Sequence, residues 1–215
     1  MDLESLTSNF QHYINILTIF TLAYFVGSFP TGYILVKATR GKDIREIGSG
    51  STGATNVKRV LGTWAFILVM FVDGLKGYFP VLAAKFLQVE MDLLPQINIL
   101  PIITAIAVII GHSKPIFLNF KGGKSVASGV GTIFALNPIV GLITALTWVI
   151  ITYITKFVSA GSIVAVLLSA FWMFIFKQPL SYILYCLAGG LYIALYLHRD
   201  NIKRLLAGSE NKIRE

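Results

Sequence analysis

Between Ile47 and Asn56 the chain reads IGSGSTGATN. Gly48, Gly50 and Gly53 let the backbone curl so that several N–H groups point into one concavity, an arrangement that suits a phosphate. Ser49, Ser51, Thr52, Thr55 and Asn56 add side-chain donors. Lys37, Arg40, Lys42 and Arg45 on one flank, with Lys58 and Arg59 on the other, supply positive charge. A second element follows in GHSKPIFLNFKGGKS, residues 111–125, where Lys121 and Lys124 bracket Gly122 and Gly123 ahead of an apolar helix. Backbone amides and ammonium groups again meet in one place. Two anion-binding turns in a chain this apolar point to chemistry on phosphorylated molecules at a membrane surface.

Neither element is a nucleotide motif. Gly48, Gly50 and Gly53 match G-x-G-x-x-G, but the charged run Lys42–Glu46 precedes them where a dinucleotide fold needs a strand. Gly123-Lys124-Ser125 resembles the end of a P-loop, yet Leu118 stands where its first glycine belongs. Other polar groups sit at the ends of apolar runs. Ser28 and Thr31 flank Pro30, which must kink the first helix and could present hydroxyls to a site at its inner mouth. Asp73 and Lys76, three residues apart on one helix face, are read as a buried ion pair. Ser159 and Ser162 fall in a tight turn, where capping of a helix start explains them. His198 and Asn201, also three apart, could face one pocket. The chain has no H-x4-D pair, no Cys/His nucleophile constellation and no D-x2-D-G metal motif, and its carboxylates are too few for a di-metal site. No metal or cofactor is expected. A reaction run without a strong base needs a substrate that brings its own good leaving group.

The elements that must position these groups are membrane helices. Of 215 residues, 55% are hydrophobic and only 13% charged, and mean hydropathy is +0.75. Soluble domains carry roughly a quarter charged residues. The net charge of +8 would suit nucleic acid, but its location argues against that partner. The apolar runs predict an all-α, polytopic integral membrane protein of seven helices near 13–37, 56–87, 96–112, 124–136, 138–155, 157–176 and 179–198. Asn137-Pro138 divides a run too long for one crossing. The fourth helix is short and rich in small residues, suited to close packing, and need not cross fully. With the N-terminus outside and the C-terminus cytoplasmic, the inner segments hold fifteen of the eighteen Lys and Arg residues, while Asp2, Glu4, Glu90 and Asp92 lie outside. Cys186, the single cysteine, reads as a buried inert thiol. Residues 1–215 read as one membrane-embedded unit, and the basic tail after His198 as an amphipathic surface helix.

Five strings, GSFPTGY (27–33), DIREIGSGSTGATNVKRVLG (43–62), DGLKGYFP (73–80), GHSKPIFLNFKGGKSVASGVG (111–131) and HRDNIKRLLAGSE (198–210), taken in order resemble the bacterial acyl-phosphate-dependent glycerol-3-phosphate acyltransferases, the PlsY family. Ser51, Ser125 and Ser128 depart from its asparagine, glycine and threonine. The resemblance implies a multi-pass enzyme of the bacterial inner membrane with its active site on the cytoplasmic face. It implies acyl transfer from acyl phosphate to the sn-1 hydroxyl of glycerol-3-phosphate, giving lysophosphatidic acid and phosphate at the first step of phospholipid synthesis. No obligate protein partner is expected. Carried onto this chain, it implies substrate contacts from Ser49, Thr55, Asn56, Arg59, Lys121, Lys124, Ser159 or Ser162, His198 and Asn201. Gly50, Gly53, Gly122 and Ser28 join them from the reading of the loops themselves. His198 and Asn201 are the candidate catalytic pair, although proton acceptance by the substrate's own phosphate is preferred to a histidine base. The alternative function is a transporter or channel for a small phosphorylated anion, which the clustering of cationic elements on one face and the lack of an internal repeat disfavour.

Overall fold

The computed structural model describes residues 3–91 and 98–213. Asp2, Asp92 and Arg214, and the expected helix start near 96, lie outside the described residues. Every regular element in the described residues is helical: α1 (Leu3–Ser28), α2 (Thr31–Arg40), α3 (Ala54–Leu61), α4 (Thr63–Met91), α5 (Ile99–Ser113), α6 (Val126–Leu136), α7 (Pro138–Thr155), α8 (Val158–Ile175), α9 (Leu180–Leu191) and α10 (Arg199–Leu206). A π-helical stretch, Tyr192–Leu197, prolongs α9. Short 3-10 turns at Ile44–Glu46 and Ile116–Leu118 lie in the two loops that carry the glycines.

Among the described residues, six stretches are long and apolar enough to cross a membrane: Phe10–Arg40, Thr63–Gln88, Ile99–Leu118, Pro138–Thr155, Val158–Ile175 and Leu180–Leu197. The fourth expected helix, α6, has 11 residues and so reaches about 16 Å at about 1.5 Å per residue. It starts inside the bundle, where the Ser125 hydroxyl donates to the Ile109 carbonyl at 2.9 Å. Its far end is capped from the side: Lys85 donates to the carbonyls of Ala135 (3.0 Å) and Leu136 (3.2 Å), which the helix cannot pair itself. Asn137 then accepts from the Val140 N–H at 3.0 Å and Pro138 opens α7, so α6 and α7 form a hairpin.

Two expected helices are broken. The first divides at Phe29-Pro30 into α1 and α2, as the proline requires. The second, expected over 56–87, divides at Gly62 (φ 87°) into α3 and α4. Its first two turns carry polar Thr55, Asn56, Lys58 and Arg59 and lie outside the crossing segment. Small residues then bring the helices together. A Cβ on Gly77 would lie 2.1 Å from the Ser128 carbonyl oxygen, and one on Gly131 2.0 Å from that of Gly74, so α4 and α6 touch backbone to backbone. Gly27 and Gly111 do the same for α1 and α5. The largest apolar cluster, including Val81, Ala105, Ile133, Val140, Val166 and Met173, fills the middle of the bundle. Leu17, Phe71, Tyr153, Phe174 and Leu180 stand exposed around it, as expected of a surface that faces lipid.

Candidate active site

The first anion turn is shaped from within by Asn56. Its amide nitrogen donates to the carbonyls of Ile44 (3.2 Å), Ile47 (2.9 Å) and Ser51 (2.9 Å), and its oxygen accepts from the Ser49 N–H at 3.1 Å. Gly48 adopts φ 60°, and a Cβ there would fall 2.4 Å from the Asn56 side-chain oxygen, so that position has no room for a side chain. The Ser51 hydroxyl accepts from the Gly53 N–H at 3.3 Å, the same turn bond that an asparagine would make. Gly53 precedes α3, which places Thr55 and Asn56 in its first turn. Ser49, Gly50 and Arg59 are exposed, but the Ser49 N–H is taken by Asn56 and the Gly50 N–H by the Ile47 carbonyl at 3.1 Å. The expected ring of outward-pointing amides is thus replaced by bonds within the loop, which leaves side chains to meet a ligand.

The second turn hangs from the end of α5. The N–H groups of Gly122 and Gly123 donate to the carbonyls of Ser113 (3.3 Å) and His112 (3.0 Å). Ser125 sits in the left-handed region at φ 57°, which accounts for a glycine at this place in the related pattern. Here the bond from its buried hydroxyl to Ile109 helps hold the strained backbone. Arg45 joins the two turns. Paired with Asp43 at 2.6 Å, its guanidinium also donates to the Leu118 carbonyl at 3.0 Å. The two glycine-bearing loops therefore lie side by side at one end of the bundle.

The third component comes from the chain's far end. Lys124 donates to the Asn201 side-chain oxygen. Asn201 donates in turn to Glu210 at 2.7 Å, as do Ser159 at 2.9 Å and Arg204 at 2.6 Å. The tail after α10 thus folds back onto the α7–α8 turn, where the Ile213 N–H reaches the Lys156 carbonyl at 2.8 Å. Burial raises the Glu210 pKa, but the bonds from Asn201, Arg204 and Ser159 outweigh it and keep the carboxylate ionised. Lys124 is pushed down to about 8 by burial and by the nearby cations of Arg204 and Arg59. His198 follows the π-helical stretch, and its Nδ1 lies 2.8 Å from the Ile193 carbonyl. A carbonyl only accepts, so Nδ1 carries the hydrogen and Nε2 keeps a lone pair. Burial, helped by the Lys124 charge, lowers His198 to about 4.

The structure links Lys124 to Arg59 and His198 through charge and to Asn201 through a hydrogen bond, and Asn201 to Ser159 through Glu210. It does not bring in Ser162, whose hydroxyl donates to the Val158 carbonyl at 2.8 Å and accepts from Trp148 at 3.1 Å. Nor does it bring in Ser28, which is fully buried without a hydrogen-bond partner. The expected capping by the two serines is replaced, since the start of α8 has no side-chain cap and Ser159 turns to Glu210. Glu210 and Arg204 are site neighbours that the sequence reading left unassigned on a surface helix and tail. Their one signal was that Glu210 closes the last resembling string. Asp73 and Lys76 form the expected buried pair, at 2.8 Å.

An all-helical membrane protein with two cationic glycine turns joined at one mouth, and no strong base between them, is built as an enzyme for phosphorylated substrates at a lipid surface. Residues 17–208 match the family model described as glycerol-3-phosphate acyltransferase, and the chain belongs to that family. Proteins of that name are 46% identical over 202 residues in Trichormus variabilis (89% of each chain) and 40% identical over 192 residues in Thermotoga petrophila (89% of this chain, 93% of that one). Crystal structures of PlsY, an integral membrane glycerol 3-phosphate acyltransferase, superpose with TM-scores of 0.85 in its glycerol 3-phosphate form (36% identity) and 0.83 in its lysophosphatidic acid form (34%). Each comparison covers 93% of this chain and 96% of the other. The protein is a membrane glycerol-3-phosphate acyltransferase, and the transporter alternative falls away.

Proposed function

We propose that the enzyme transfers a fatty acyl group from acyl phosphate to the sn-1 hydroxyl of glycerol-3-phosphate, at the cytoplasmic face of a bacterial inner membrane. The observation that carries this reading is the Arg45–Leu118 link, which sets two separate anion cradles side by side and so suits two phosphorylated substrates. Ser49, Thr55 and Arg59 hold one phosphate with their side chains, while Gly50 and Gly53, whose N–H groups bond to Ile47 and Ser51, shape the turn. Lys121 and Lys124, with Ser159 and Asn201, hold the other, and Gly122, its N–H bonded to the Ser113 carbonyl, shapes that turn. Asn56 shapes the first cradle, and Ser28 and Ser162 support the framework. The relatives named as glycerol-3-phosphate acyltransferases and the two ligand forms of PlsY support the acceptor and product.

Acyl phosphate is a mixed anhydride, so the protein has chiefly to align the reactants and stabilise charge. The acceptor hydroxyl attacks the acyl carbonyl carbon, a C–O bond forms, and the bond from that carbon to the phosphate oxygen breaks. The hydroxyl proton passes to the departing phosphate, and lysophosphatidic acid and inorganic phosphate leave. His198, neutral and with Nε2 as an acceptor, orients the hydroxyl. The acyl tail lies between helices, entered from the bilayer. The purified protein in lipid nanodiscs should form lysophosphatidic acid and phosphate in equal amounts from acyl phosphate and glycerol-3-phosphate. Equal or faster product formation from acyl-CoA, with acyl phosphate inert, would overturn the donor assignment.

A further inference from the structure

Behind the two turns lies an ion pair that the transfer chemistry does not use. Asp73 and Lys76 on α4 are 2% and 8% exposed, and burying two charges costs several kcal/mol per ion unless the remaining donors and acceptors are engaged. A pair placed only for helix packing could close on itself. This one does not. Lys76 also donates to the Phe29 carbonyl at 2.9 Å, on one side of Pro30. Asp73 accepts from the Thr31 hydroxyl at 2.9 Å, on the other side. The pair therefore clamps both ends of the α1–α2 break.

That break seats the first anion turn. Gly32, one residue after Thr31, packs so tightly on it that a Cβ would lie 2.1 Å from the Thr52 carbonyl oxygen. His112 of α5 packs against the same carboxylate, with Nδ1 4.0 Å from Asp73 and without a hydrogen-bond partner. His112 in turn carries the second anion turn. Its carbonyl accepts the Gly123 N–H at 3.0 Å, and its Nε2 would be 2.1 Å from a Cβ on Gly123. Lys124 is the next residue.

We propose that Asp73 and Lys76 are positioning residues for acyl transfer, holding the first anion turn, through Thr31 and Gly32, at a fixed distance from the second, through His112 and Gly123. An apolar pair of similar volume would pack the same helices without the burial cost, but it could not bond a carbonyl and a hydroxyl at one point beside the packed imidazole. The two phosphates must be in register for the hydroxyl to meet the carbonyl, and a misplacement of about 1 Å costs on the order of a hundredfold in rate. Binding of a single phosphate needs only one turn.

The inference rests on the two-cradle reading, and its test separates the two. Parent, Asp73→Asn and Thr31→Val enzymes are purified in detergent, and glycerol-3-phosphate binding is measured by calorimetry. Acyl transfer is then expressed per binding site, which removes any inactive fraction. Asp73→Asn should keep the binding stoichiometry and Kd within about twofold while turnover per site falls by about tenfold or more. Thr31→Val, which deletes one bond and keeps the shape, should lower it by about threefold at unchanged Kd. If Asp73→Asn does not fold, Thr31→Val decides. Turnover per site within about twofold of the parent, or binding lost in step with turnover, would overturn the positioning role. A parent enzyme inert toward acyl phosphate would instead overturn the donor assignment.

Discussion

Lys124 combines two demands that oppose each other: it must be charged to hold a phosphate, and it lies where burial and the neighbouring cations of Arg204 and Arg59 favour the neutral amine. Its pKa, lowered to about 8, means that the ammonium form is lost as pH rises through about that value, well below an ordinary lysine. On this basis kcat/KM should fall above about pH 8 with the loss of one proton, and Lys124→Arg should move that limb to higher pH. A profile flat to pH 9.5 in the parent would rule the residue out as the controlling cation. His198 gives the complementary test. With a pKa near 4 it is neutral throughout the working range and a weak base, so its value lies in accepting and aligning a hydroxyl hydrogen. His198→Gln should keep activity within about tenfold and leave the limb near pH 8 in place. A loss of a thousandfold or more would instead identify His198 as the base.

At the scale of elements, the site depends on helix ends more than on helix middles. The π-helical stretch Tyr192–Leu197 and the α10 start put His198 and Asn201 at the mouth, and the short α6 starts one residue after Ser125, directly behind Lys124. The register of α6 is set by its contact with α4, where Gly77 and Gly131 leave no room for a methyl group. Gly77→Ala should therefore lower stability by on the order of 1–3 kcal/mol and lower the thermal midpoint of the detergent-solubilised protein. Gly189→Ala, where a Cβ would meet only ordinary contacts at 3.9 and 4.0 Å, should leave the helix contact untouched. An unchanged midpoint for Gly77→Ala would show that α4 and α6 can separate freely. Much of this level was legible in advance. Pro30 announced the first break, and the small residues of the fourth helix its close packing. The break at Gly62 was not legible, because one glycine in a long apolar pattern is equally compatible with a continuous helix.

For the whole molecule the decisive property is sidedness. The candidate site and the cationic turns share one end of the bundle, and the orientation proposed from the positive-inside rule puts that end in the cytoplasm. A cysteine at exposed Ser209, placed in a Cys186→Ala background, should react with a membrane-impermeant maleimide in inverted vesicles and not in intact spheroplasts. The opposite pattern would reverse the orientation. By itself the sequence determined the class of structure, its apolar helices in outline and the family, because hydropathy, glycine and proline placement and local charge act over a few residues. Only the tertiary structure decided that Arg45 bonds the first turn to the second, that Asn56 serves the loop rather than standing open, that Ser159 and not Ser162 joins the site, and that Glu210 gathers Asn201, Ser159 and Arg204. These depend on which side chains from distant segments meet when helices close on small residues. A three-dimensional contact of that kind leaves no periodic trace in one dimension.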